Sequence, residues 1–128
     1  MNFRNNEAEM KRFLLIVVSV FLAGCVDLGT VGLHPAVKTA YFSGEVWQVE
    51  RCLDTEAYRH NLFMEEDEPY SNGSKRYNLS EQGTLVAWLD IAHFSHHQTS
   101  VFAYYGQKEA GIEDKLSAMF DTCKSELE

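Results

Sequence analysis

Three histidines fall within five residues: His93, His96 and His97. Neutral imidazole ligates zinc, copper and nickel, and Asp90 and His60 could complete such a set. The spacing alone does not close a site. His93 ends an alternating stretch, whereas His96 and His97 lie in the polar run Ser95-His96-His97-Gln98. No H-E-x-x-H helix or paired-cysteine motif accompanies them, so solvated loop histidines are the simpler reading. Glu65-Glu66-Asp67-Glu68 offers hard oxygen ligands, but it lacks the alternation and the glycine of a calcium loop. It reads as a solvated acidic loop. No G-x-S-x-G elbow presents a serine, and no glycine-rich loop cradles a phosphate. With no assembled acid, base or nucleophile, the expectation is a protein that is not an enzyme and uses no cofactor.

The chain has 128 residues, 11 basic against 19 acidic, and a net charge of −8. That length holds one small domain. The acidic balance argues against nucleic-acid partners, whose phosphates require a basic face. The hydrophobic share of 45% is ordinary for a globular chain, which argues against wholesale disorder.

The cysteines carry more information. Cys25 follows Lys11-Arg12 and the apolar run Phe13–Phe21. A basic segment followed by 7–15 apolar residues marks a secretory signal, and the run is too short to span a bilayer. Met10-Lys11-Arg12 makes a more typical signal opening than Met1, because residues 1–9 add Glu7 and Glu9. The run leads into Leu22-Ala23-Gly24-Cys25, which resembles the lipobox of bacterial lipoproteins. The resemblance covers about the first fifth of the chain, and no named family is recognised in the rest. It implies cleavage before Cys25, diacylglycerol on the Cys25 sulfur and acylation of the new amino group. Two or more acyl chains give stable anchoring. Val26 rather than aspartate follows the cysteine, which implies the periplasmic face of the outer membrane over inner-membrane retention.

Three segments follow from that resemblance: a signal peptide (1–24), a lipidated tether (25–40) and a small domain (41–128). Gly29, Gly32 and Pro35, with few aromatics around them, suit a tether. Cleavage leaves 104 residues with 8 basic and 17 acidic side chains, net −9. Such a domain is repelled by an anionic membrane, so the lipid must do the anchoring. With Cys25 lipidated and the chain in an oxidising compartment, Cys52 and Cys123 have one possible intramolecular pairing. Closing that loop of 71 residues is worth about 4 kcal/mol by chain entropy.

Hydropathy patterns supply the elements. Val46, Val49, Cys52 and Leu53 have helical spacing, with Ser43 as cap and Phe42 stapled on Trp47. Ile112, Leu116, Met119, Phe120 and Cys123 form one apolar stripe, with Glu113 and Asp114 in the first turn and Lys124 in the last. Thr84–His93 alternates, with Leu85, Ala87, Leu89 and Ile91 opposed to Trp88 and Asp90. Ser100–Tyr105 opposes Val101, Ala103 and Tyr105 to Phe102 and Tyr104. Ser95–Gln98 and Ser80–Gly83 read as hairpin turns, with a short strand around Arg76–Leu79. Tyr58–Met64 reads as a further strand, and Glu65–Gly73 as the acidic loop. The expected fold is α+β in two layers: an N-terminal helix, an antiparallel meander of three or four strands and a C-terminal helix, both helices on one sheet face.

That arrangement leaves Trp88, Phe102 and Tyr104 on the other face, as anchors for a partner. The expected function is a lipid-anchored envelope module that binds or assembles with a periplasmic or envelope protein. The alternatives are metal binding through His93, His96 and His97, or inhibition of an envelope-directed hydrolase, whose basic charge an acidic protein would complement.

Overall fold

Ala87, Leu89 and Ile91 are fully buried at every second residue, so one strand lays an apolar face against the core. A computed structural model describes residues 31–32, 34–67, 74–107 and 110–128. The described elements run β1 (Ala36–Ser43), α1 (Val46–Arg59), β2 (Phe63–Glu66), β3 (Lys75–Glu81), β4 (Thr84–Ser95), β5 (Gln98–Tyr105) and α2 (Ala110–Leu127). The five strands form one antiparallel sheet in the order β1-β5-β4-β3-β2. The class is α+β, as the patterning implies. Strands β2 to β5 are a meander, and β1 pairs on the far side of β5.

One core joins both helices to one sheet face. Val49, Leu53 and Ala57 of α1 and Leu116, Met119 and Phe120 of α2 share a cluster with Leu79, Leu89 and Val101. Phe42 of β1 meets Phe120 edge-on at 5.7 Å. On the same face, the Tyr77 hydroxyl donates to Glu50 Oε2 on α1 at 2.8 Å. The Cys52–Cys123 disulfide joins the two helices through their apolar stripes. The turns follow local chemistry. Gln82 and Gly83 both take positive φ, the backbone of a type I′ hairpin. The β4–β5 turn is His96-His97, with His97 left-handed.

Several expectations need correction. The first helix does not begin at Phe42-Ser43. Those residues end β1, Phe42 is buried, and Trp47 is 61% exposed rather than stapled. The helix starts instead from Glu45, whose N–H donates to Gln48 Oε1 at 2.8 Å. Gly44 makes the corner, with φ +121°, and a Cβ there would lie 2.8 Å from Gln48 Oε1 and displace that side chain. Its N–H donates to the His97 carbonyl, and its carbonyl accepts from Thr99 Oγ1. Residues 36–40 are not tether but the first part of β1, and Val31 is buried as well. The tether residues 25–30 and the signal segment lie outside the described residues. Tyr58–Met64 is not a strand. Helix α1 continues to Arg59, the chain reverses at Asn61 with φ +60°, and β2 begins at Phe63. The sheet therefore has five strands rather than three or four. Glu65 and Glu66 belong to β2, and residues 68–73 lie outside the described residues.

Candidate functional site

The sheet face without helices is ordered by cross-strand register. Because side chains alternate, residues opposite one another share a face. Val37, Tyr104, Trp88 and Asn78 form one row across β1, β5, β4 and β3. Thr39, Phe102, Asp90 and Arg76 form the next. Tyr41, Ser100 and Ala92 form a third. Trp88, Phe102 and Tyr104 thus point away from the helices, as the alternation implies. Each is half-buried by its neighbours rather than fully exposed.

Arg76 sits at the β3 end of the second row. Its Nε and Nη2 donate to the two carboxylate oxygens of Asp90 at 2.7 and 2.9 Å. Its guanidinium carbon lies 5.3 Å from the Trp88 ring and 5.9 Å from the Tyr104 ring. A planar guanidinium can fork onto a carboxylate and lie over an aromatic face at once, which an ammonium cannot. The fork holds β3 and β4 in register, and the two rings gain a fixed cationic edge. Tyr41 and Phe94 form a second aromatic pair at 4.8 Å near β1, each at least half exposed. Chemically, the face offers flat apolar rings, with one paired charge fixing their orientation.

Sequence reading missed Arg76 as a member. The signal was its parity with Asn78, but the pairing of β3 with β4 was needed to set it beside Asp90.

The histidines are distributed differently. His93 is exposed and pairs with Thr99 on β5, on the helix side of the sheet. His96 and His97 occupy the hairpin turn with rings 4.0 Å apart. His97 Nδ1 lies 2.8 Å from Glu45 Oε1, bridging the turn to the start of α1. His60 closes the far end of α1. Among the described residues, no three histidine, cysteine, aspartate or glutamate side chains gather into a metal-binding group.

A cavity of about 330 Å³ lies between α1 and the β2–β3 pair, lined by Trp47, Glu50, Arg51, Asp54, Met64 and Tyr77. Burial and the hydrogen bond to Glu50 push the Tyr77 phenol well above its ordinary range. Glu50 Oε1 is buried without a hydrogen bond, and Lys75 Nζ approaches it at 3.5 Å. The Tyr77 phenol thus keeps its proton to a higher pH than an exposed tyrosine would.

Among the described residues, no helix is long and apolar enough to cross a membrane. No protein-family model matches the chain, and a search of curated proteins finds no significant relative.

Proposed function

We propose that the chain is a lipid-anchored protein of the bacterial envelope that binds a partner protein and catalyses no reaction. The anchor is a set of acyl chains on Cys25, implied by the lipobox Leu22-Ala23-Gly24-Cys25 behind a basic and apolar leader. Val26 after the cysteine favours the outer membrane, with the domain facing the periplasm. The mature protein then needs no spanning helix, because two or more acyl chains hold it.

The observation that carries the binding role is the helix-free face. Trp88, Phe102 and Tyr104 lie in adjacent rows with Arg76 fixed among them. Aromatic residues and arginine dominate the energetics of protein interfaces, and large rings held in place lose little entropy on binding. A metal role has less support, because among the described residues the three histidines do not meet.

Photocrosslinking tests the reading. A crosslinking residue at Phe102 in the full lipidated protein is expected to yield one stoichiometric protein adduct in the native envelope. The same residue at Lys124, exposed on α2, is expected to yield none. Identical adducts from both positions, or none from position 102, would defeat the proposal.

A further inference from the structure

The two edges of the sheet are unlike. Edge strand β2 has four residues, two of them glutamates, and Asp67 follows. Short length and charge are the usual protections of a sheet edge. Edge strand β1 has eight residues and pairs with β5 in one unbroken register. Among the described residues, no strand pairs with its outer side. About half its backbone amides and carbonyls therefore face outward. Its helix-free side presents Val37 and Tyr41, 52% and 50% exposed, and Tyr41 leans on the exposed Phe94.

We infer that β1 pairs with β1 of a second copy, antiparallel about a two-fold axis through Thr39, making one sheet of ten strands. The sequence of β1 is complementary to itself in that register. Thr39 would face Thr39 of the partner subunit, and each Val37 would face Tyr41 of the partner subunit. Threonine pairs and pairs of aromatic with β-branched residues are favourable across strands. Lys38 is the only charge in β1, and here it meets an alanine rather than another lysine. An axis through Lys38 would oppose two like charges. The two Tyr41–Phe94 pairs would join into one apolar band across the junction, which accounts for their exposure in the single chain. A two-fold axis closes the assembly at two copies, because β2 is left as each outer edge. The contact is modest in area and weak in the manner of small interfaces. Two chains of net charge −8 repel, so added salt strengthens it.

This inference does not rest on the partner-binding reading, since it uses the edge of the sheet and not the face. The test is a disulfide trap in the full chain, purified in mild detergent and oxidised. Residues directly opposite in an antiparallel pair lie at about 4.5–5.5 Å between Cα atoms, within reach of a disulfide. Thr39→Cys is expected to give several-fold more covalent dimer than Glu65→Cys on the other edge. Adding Tyr41→Lys, at a half-exposed position, is expected to cut the dimer several-fold while leaving the thermal midpoint of the single chain within a few degrees. Mass spectrometry verifies that Cys52–Cys123 stays intact in each variant. Equal trapping at Thr39 and Glu65, no dimer at Thr39, or indifference to Tyr41→Lys would overturn the inference.

Discussion

Arg76 and Asp90 lie opposite each other on β3 and β4, joined by two parallel hydrogen bonds. Both side chains are partly exposed, so water screens the pair. The forked geometry and the flanking rings nonetheless set it apart from an ordinary surface ion pair. Arg76→Lys keeps the charge but loses the fork and the stacking. It is expected to lower stability by about 1 kcal/mol. A double-mutant cycle with Asp90→Asn by urea denaturation should give a coupling energy of about 1 kcal/mol. Additive effects would reduce the pair to two independent surface groups.

Tyr77 makes stability depend on alkaline pH. Burial first, then the hydrogen bond to Glu50, raises its pKa above the ordinary 10.0. The folded state therefore keeps the proton after the unfolded chain has released it. That contribution is complete below about pH 10 and is lost as pH rises beyond it. Denaturation midpoints measured from pH 8 to pH 11 should fall steeply at the top of the range. Tyr77→Phe should flatten this fall while costing about 1–2 kcal/mol at pH 8, because Glu50 loses its donor.

The disulfide closes a loop of 71 residues between the two helices. Replacing both Cys52 and Cys123 with alanine is expected to cost about 2–5 kcal/mol, chiefly by freeing the unfolded chain. The check is the thermal midpoint with and without reductant. The native protein should lose stability on reduction, and the double variant should show no response.

Gly44 holds the corner between β1 and α1. Alanine there meets Gln48 Oε1 at 2.8 Å and a positive φ. Gly44→Ala is expected to destabilise by about 1–3 kcal/mol. Gln48→Ala alone removes the cap on the Glu45 N–H, so it should cost about 0.5–1 kcal/mol. In the double variant the relief of the clash and the loss of the cap should largely offset, leaving the backbone strain in chemical denaturation.

Legibility in the sequence followed how cleanly each segment separates its two faces. β4, β5 and α2 each put apolar residues at one period, and apart from Val86 and Ser100 their buried residues follow it. β1 does not. Val37 and Tyr41 are exposed on one side, while Lys38 shares the other side with Ala40 and Phe42. Neither side reads as a core face, and Pro35 ahead of it suggests a linker. Tyr58, Leu62, Phe63 and Met64 look like one apolar run, yet the left-handed Asn61 divides helix from strand inside it. The rings of the helix-free face were legible because parity alone sets their side. Arg76 was not, because its place depends on which residue of another strand lies opposite. The histidines were close in sequence, but only His96 and His97 meet, in the turn, while His93 stays on the β4 ladder opposite Thr99.

The placement of β1 also sets an order of events in time. Its partners on β5 lie 55 to 69 positions later, from Ser43–Gln98 to Ala36–Tyr105. A chain emerging amino end first, from a ribosome or through a membrane, exposes β1 long before β5 exists. The meander of β2 to β5 can zip from turn to turn, but the last rung waits for a long-range closure, the slow kind of contact in folding. Until then β1 is an unpaired apolar ribbon, and any product that stops short of β5 leaves it permanently so. Quality control that recognises unpaired strands would find incomplete copies by this segment, and completion of β5 would conceal it.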